Sequence, residues 1–375
     1  MNYSGIPNTV SFDGKKLAQI KEKIARYPEE IKILTERADK LLATRPYTVV
    51  EKELIPASKD PHDYMTMGTY WWPDPDKPDG LPYIRRDGHF NPKAKDRNSY
   101  QAMADGAFRL AHAAYLLERD DYAAKAVEFL RVWHLDEATR MNPHAEYAQA
   151  IPGICEGRGI GIIDFRNTYC TFDAVEILYS IGALTDEQYS GLQKWYLDYG
   201  NWLITSEKGI FADNYFNNHG TWYDVQILSV AKFTKRPELA KRVAITSYGK
   251  RHNLQIMADG TQPHELERTQ ALSYSVMNLV GLVRIAKYAT ALGRKEYIAE
   301  DKEKGVFLLE KAAEFLYPHV SDQSEFGYQQ IHPADLSADM AFVLLSLAEL
   351  TGDAKYAEMA KKFNAAKYLV AVTPI

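Results

Sequence analysis

From Arg97 to Leu135 the chain reads RNSYQAMADGAFRLAHAAYLLERDDYAAKAVEFLRVWHL, and apolar residues return throughout at spacings of three and four. That period belongs to an amphipathic helix and not to a strand. Arg119, Asp120 and Asp121 interrupt it, so the segment reads as two antiparallel helices joined by a short turn. The same design returns in TFDAVEILYSIGALTDEQYSGLQKWYLDYGNWLITSE, residues 171–207, where Gly182 and the capping run Thr185-Asp186-Glu187 separate two helices. It returns again in YSVMNLVGLVRIAKYATALGRKEYIAE (274–300) and in SADMAFVLLSLAELTGDAKYAEMAKKFNAA (337–366). No alternating run of Val, Ile and Thr predicts a large sheet.

Helical hairpins repeated every ~35–50 residues admit an open solenoid or a closed toroid of helix pairs. Solenoid repeats resemble one another residue by residue, whereas these share only a pattern and are separated by very unequal loops. The expectation is therefore an all-α, (α/α) toroid or incomplete barrel. A single catalytic domain over residues 1–375 would carry long loops lining a central cleft. The longest irregular stretch, residues 44–97, contains SKDPHDYMTMGTYWWPDPDKPDGLPYIRRDGHFNPKAKDRN. Its Tyr70, Trp71, Trp72 and Tyr83 make it too aromatic for a disordered segment, so it reads as an ordered wall of a site. Of the adjacent tryptophans, one ring is expected in the core and the other, Trp71, in the groove.

Composition narrows the partners. With 46% hydrophobic and 25% charged residues, the chain has the make-up of a soluble globular protein. A net charge of −5 gives no reason to expect nucleic acid. No stretch approaches the ~20 apolar residues of a membrane span. MNYSGIPNTVSFDG shows no basic region followed by an apolar core, so no signal peptide is expected within it. Cys155 and Cys170 are too few for a disulfide framework or a zinc site; a single bridge between them is the alternative, and two buried free thiols are the expectation. The aromatic share of 12%, with 25 Tyr and 6 Trp, suits either a large helical core or the stacking of polar rings such as sugars.

Three polar clusters could carry chemistry. FADNYFNNHGTWYDVQ, residues 211–226, sets Asn217, Asn218 and His219 before Gly220 and the aromatic Trp222. Two asparagines in a row are poor helix formers, yet helical sequence flanks them on both sides. PHELERTQALSY supplies His264, Glu265, Glu267, Arg268 and Tyr274, and GICEGRGIGIIDFRNTY supplies Glu156, Arg158, Asp164 and Arg166. Convergent Arg, Asn, His and Tyr side chains suit a substrate carboxylate: Arg binds it as a fork, Asn and His donate to it, and Tyr can transfer a proton. β-Elimination from a uronate needs this set, because neutralising the carboxylate lets charge move onto it as the C5 proton leaves. Each residue also has a plain structural reading. A lone His is commonly a satisfied core or surface residue, Arg268 with Glu265 could be a solvated helix face, and Tyr274 could be core. Six residues at about 100° each put Arg268 and Tyr274 on different helix faces, so they meet only if Arg268 lies at or before the helix start. The absence of HxxxH or HExxH spacing argues against a metal site.

YWWPDPDKPDGLPYIRRDGHFNP (70–92), QAIPGICEGRGIGIIDF (149–165) and NNHGTWYDVQ (217–226), in this order, resemble the alginate lyase family of α/α-toroid polysaccharide lyases. The similarity runs from about Tyr47 to about residue 350. It implies an active site of Asn218, His219, Arg268 and Tyr274, with Tyr70, Trp71 and Trp72 lining the sugar groove. Asn217, His264, Arg158 and Trp222 join them as expected substrate-binding residues. Gly220 is a departure, since the best-known relatives carry another residue after the His. The resemblance implies cleavage of β-1,4-linked uronans, mannuronate-rich alginate first, with glucuronan as the alternative. It also implies no cofactor, an anionic polysaccharide as partner, and a periplasmic or secreted location. A glycoside hydrolase using carboxylates such as Asp164, Glu265 and Asp74, or a non-catalytic carbohydrate-binding protein, are the rival readings.

Overall fold

The computed structural model describes residues 1–91, 95–294, 297, 307–365 and 367. It is all-α apart from two small ladders, and it divides into two compact units, Met1–Asp213 and Asn214–Ile375.

The first unit contains α1 (Gly14–Glu22), α2 (Pro28–Leu42), α3 (Lys95–Leu117), α4 (Asp120–His134), α5 (Thr168–Ser180), α6 (Asp186–Thr205) and α7 (Glu207–Asp213). The α3–α4 hairpin turns at Glu118 and Arg119, where Glu118 takes a positive φ of 54° and Arg119 caps α4. Asp120 and Asp121 fall in the first turn of α4, where acidic groups complement the helix dipole. The α5–α6 hairpin turns at Gly182, φ 73°, and α6 opens with a capping box between Thr185 and Gln188. Much of the aromatic excess proves to be core. Tyr100, Trp133, Phe165, Phe172, Tyr196 and Tyr199 are fully buried, with the Tyr100 and Phe165 ring centres 4.4 Å apart. Both cysteines are free thiols, but only Cys170 is buried; Cys155 is half-buried.

Most of residues 44–91 has no helix. β1 (Met65–Met67) pairs in parallel with β4 (Tyr147–Ala150), and β2 (Trp71–Trp72) pairs antiparallel with β3 (Ile84–Arg85). Side chains tie the loop down: Asn91 Nδ2 donates to Trp71 O at 2.7 Å, and Arg97 donates to Thr69 Oγ1 at 3.0 Å.

The second unit contains α8 (Asn218–Phe233), α9 (Pro237–Ser247), α10 (Asn253–Gln255), α11 (Pro263–Leu266), α12 (Ala271–Ala291), α13 (Phe307–Ser321), α14 (Ser337–Thr351) and α15 (Ala354–Ala360). A five-residue π turn, Tyr248–His252, joins α9 to α10. α8 and α12 are buried nearly all round and approach closely, because a Cβ at Gly281 would stand 2.8 Å from Thr221 Cγ2. The last hairpin turns where expected, with Gly352 at φ 74° ending α14 and Asp353 capping α15. The 274–300 segment begins as expected, inside α12. The second half of that hairpin falls largely on residues outside those described. Among the described residues no helix is long and apolar enough to cross a membrane.

Candidate active site

The asparagine pair forms a helix start. Asn217 is the N-cap of α8, and its Oδ1 accepts the backbone N–H of His219 at 3.1 Å. Its carbonyl accepts the amide of Gly220 at 3.0 Å and Gln255 Nε2 at 3.3 Å. The residue that looked like a substrate donor is thus buried and engaged in starting the helix. Asn218 is the first helical residue and 0% exposed. Its backbone N–H donates to Glu265 Oε1 at 2.8 Å, and its Nδ2 donates to Oε2 of the same carboxylate at 2.7 Å. Its Oδ1 is buried without a partner. His219 is half-buried, its ring edge-on to Tyr215 at 5.5 Å, and Tyr215 stacks on the exposed Phe216 at 4.9 Å. His264 is exposed and meets Phe216 edge to face at 4.7 Å.

Gly220 has a local cause. A Cβ there would stand 2.2 Å from Tyr215 O and 2.5 Å from Arg251 Nη1. Arg251 is buried and forks onto Asp224 at 2.8 and 3.1 Å while donating to Tyr215 O at 2.9 Å. One guanidinium therefore clamps the chain before the N-cap to the helix after it, and only a glycine leaves room.

Arg268 lies three residues before α12, and its Cζ sits 4.1 Å from the ring centre of Tyr274 in the first turn. The side chains meet because Arg268 precedes the helix. Both are half-buried. The start of α12 is held by Gln330, whose Oε1 accepts the N–H groups of Leu272 at 3.1 Å and Ser273 at 3.4 Å.

A buried carboxamide network links the two helix starts. Asn278 Nδ2 donates to Gln255 Oε1 at 3.0 Å and to Gln262 Oε1 at 2.8 Å. Gln255 also accepts from Thr221 Oγ1 at 2.8 Å, and Gln262 Nε2 donates to Ser275 O at 3.0 Å. The His219 end of α8 and the Tyr274 end of α12 thus share one buried polar network, which specifies their relative placement. Sequence reasoning missed Gln255, Gln262 and Asn278. Their only signal is polar residues at positions the helical period assigns to the core.

Trp222 corrects an expectation. It is 3% exposed and packs against Gly281, so its ring belongs to the α8–α12 contact rather than to a groove. A second correction falls in the first unit. Neither Trp71 nor Trp72 is core: both are half-buried, and the Trp72 indole donates to His89 O at 3.0 Å. A two-residue strand in a loop has too little packed around it to bury either ring fully. Tyr70 meets Phe90 edge to face at 5.4 Å. Arg158 lies with its Cζ 6.0 Å from the Trp71 ring centre and donates to Gln149 O at 2.9 Å and Gln149 Oε1 at 3.0 Å. Gln149 is a buried non-glycine residue at φ 52°, a strained position that sequence reasoning also missed. Its Nε2 donates to Asp164 Oδ1 at 3.0 Å, and Asp164 Oδ2 accepts from Thr66 at 2.8 Å and Tyr64 at 3.1 Å.

Comparison with known proteins bears on the family and the fold. No curated protein matches the chain in sequence. Among solved structures, an alginate lyase from Bacteroides ovatus is 37% identical and superimposes with a TM-score of 0.92, over 99% of this chain and 100% of that one. Alginate lyase A1-III from Sphingomonas species A1 is 16% identical with a TM-score of 0.52, over 90% of this chain and 94% of that one. A histidine variant of A1-III complexed with a tetrasaccharide is 15% identical with a TM-score of 0.57, over 90% and 93%. These two likenesses show the shared (α/α)-toroid fold alone. The family profile described as Alginate lyase matches residues 48–326 and so includes Trp71, Arg158, His219, Arg268 and Tyr274. The chain belongs to the alginate lyase family.

Proposed function

We propose that the protein is a polysaccharide lyase that cuts β-1,4-linked uronans, mannuronate-rich alginate first, by β-elimination without a metal. The observation that carries this is the Arg268 guanidinium lying over the Tyr274 ring, 4.1 Å away, on the segment tied to the His219 helix start. Arg268 and His219 supply donors for the substrate carboxylate, which then takes up charge as the C5 proton leaves. Tyr274 is the proton-transfer group. In β-D-mannuronate and β-D-glucuronate, H5 and the C4 oxygen lie on the same side, so one tyrosine serves as base and then as acid. The Tyr70–Trp72 loop and Arg158 bind sugar rings and their charge, and His264 is a helper donor. The buried Asn218 acts from behind His219. Family membership also supports a periplasmic or secreted enzyme working on an external polymer.

Two observations weigh against the hydrolase reading. Hydrolysis needs two carboxyl groups free to flank the scissile bond. Asp164 is buried and takes three side-chain donors, and Glu265 is buried and takes two from Asn218. The deciding experiment incubates purified protein with polymannuronate, polyguluronate and glucuronan and follows ultraviolet absorbance of the conjugated unsaturated uronate. Fastest growth on polymannuronate is expected. Reducing ends without that absorbance would establish hydrolysis, and binding without either product would establish a non-catalytic protein.

A further inference from the structure

Glu265 sits where the two halves of the candidate site are joined. It is 1% exposed, on the short α11. Its side chain grips Asn218, the residue before His219, through both the backbone N–H and the carboxamide. Its own carbonyl accepts the N–H of Arg268 at 3.1 Å. A single residue thus connects the helix start that carries His219 to the turn that carries Arg268. An unpaired buried carboxylate is costly, so one kept here has a task that an apolar residue would not perform.

We infer that Glu265 is the positioning residue of the elimination: ionised, it fixes the Asn218 carboxamide and holds His219 and Arg268 in register, and protonation undoes that hold. The inference rests on the lyase reading above. The chemistry of the two forms differs. A carboxylate only accepts, and it matches the two N–H groups that Asn218 presents. A carboxylic acid must donate from one oxygen, and that proton would meet the Nδ2 hydrogen. The acid is satisfied only if the carboxamide turns over and offers Oδ1, the atom now without a partner. Each protonation state therefore selects one orientation of Asn218, directly behind His219.

Burial lifts the Glu265 carboxyl to about 7, against the two Asn218 bonds and the Arg268 charge, which lower it. The titratable groups on the elements around it are His219 on α8, His264 and Glu267 on its own turn, Arg268 after it, and Tyr274 on α12. Asp224, further along α8, is held by Arg251. The switch thus falls in the range where a uronan lyase would operate.

The test compares wild type with Glu265→Gln and Glu265→Asp, measuring kcat and KM across about pH 5 to 9, with melting temperatures of the same samples. Gln keeps the shape but presents an NH2 to Asn218, enforcing the turned carboxamide. In wild type, kcat is expected to rise through a step near 7. Glu265→Gln should lose that step and at least ~10-fold in plateau kcat, with KM changed less than ~3-fold. Glu265→Asp keeps the charge but is too short to span both donors, so it should keep a step at lower kcat. Melting reads the same group without substrate. The folded carboxyl, raised from 4.5 to about 7, holds a proton that the unfolded chain releases, so its contribution to stability is full below 4.5 and lost as pH rises through 7. The melting temperature of Glu265→Gln relative to wild type should therefore climb by at least ~2 °C from pH 5 to 8. A folded Gln variant with wild-type kcat and pH profile, or a melting gap independent of pH, would overturn the inference. Wild type inactive on every uronan would sink the lyase reading instead, and the melting comparison would still decide the role of Glu265.

Discussion

The His219 corner and the tryptophan loop are both polar, aromatic, glycine-containing stretches in the sequence, yet they are built by opposite means. The corner is a helix start locked from behind. Asn217 caps it, Glu265 grips Asn218, Arg251 clamps Tyr215 to Asp224, and a carboxamide network runs on to α12. The loop is held by a two-residue ladder and a few side-chain bonds to backbone, and its rings stay half-exposed. Proton transfer fails when groups shift by an ångström, so a reacting corner needs buried, hydrogen-bonded support. A sugar-stacking surface needs only flat faces, and partial burial supplies them. Substitutions at the corner should therefore act on turnover or on folding as a whole, and substitutions in the loop on affinity.

The sharpest way to break this contrast is Tyr274→Phe, which removes one hydroxyl from a half-buried ring. Turnover should fall by ~10²–10⁴, the range for loss of an acid–base group, while the melting temperature stays near wild type. Steady-state kinetics on polymannuronate with a parallel melting curve measures both. Wild-type turnover in the folded variant would move the chemistry away from this corner.

Arg268→Lys should be nearly as damaging. The charge remains, but the planar fork and its packing on Tyr274 are lost, and a drop of about 10²-fold in kcat/KM is expected. Full kcat/KM in the lysine variant would return Arg268 to a structural role.

Arg251→Leu tests the support itself. It leaves Asp224 buried without its cation and frees Tyr215 O, and a loss of roughly 3–5 kcal/mol in unfolding free energy is expected from denaturant melts. A change under about 1 kcal/mol would show that the clamp is not what holds the corner.

How much of this could be read from residues alone depends on the range of the interaction. Hairpin positions were legible because periodicity and caps are local: Thr185 with Gln188 and Gly352 with Asp353 act within a few residues. Asn218, His219, Arg268 and Tyr274 stand out in the sequence as positions of a family motif, but the Glu265 grip on Asn218 spans 47 residues and has no local signature. Asn217 looked like a ligand donor because a capping asparagine and a binding asparagine read alike. Trp222 was misread for a related reason. Its residue type suits a sugar platform, but its place inside α8 puts it against Gly281. The carboxamides of Gln255, Gln262 and Asn278 were invisible because each is meaningful only beside the others.

The smallest expected effects lie in the loop, and they decide whether it belongs with binding at all. Trp71 and Trp72 are neighbours on one short strand, so their side chains point to opposite faces. Trp72 has a structural bond, its indole N–H donating to His89 O, and removing the ring leaves that carbonyl to water. Trp71 instead lies beside the Arg158 guanidinium, with its ring edge against Gly68, where a Cβ would come within 2.5 Å. An aromatic face next to a cation is the pairing that a uronate uses, ring against ring and carboxylate against charge. Trp71→Ala should therefore raise KM on polymer by about 2–10-fold, the equivalent of the ~0.5–1.5 kcal/mol of one stacking contact, with kcat nearly unchanged. Trp72→Ala should change KM less and lower the melting temperature by a few degrees, about 1 kcal/mol for a lost hydrogen bond. Equal, negligible effects of both variants on KM would remove this loop from the substrate wall and leave the second-unit corner as the site's whole recognisable chemistry.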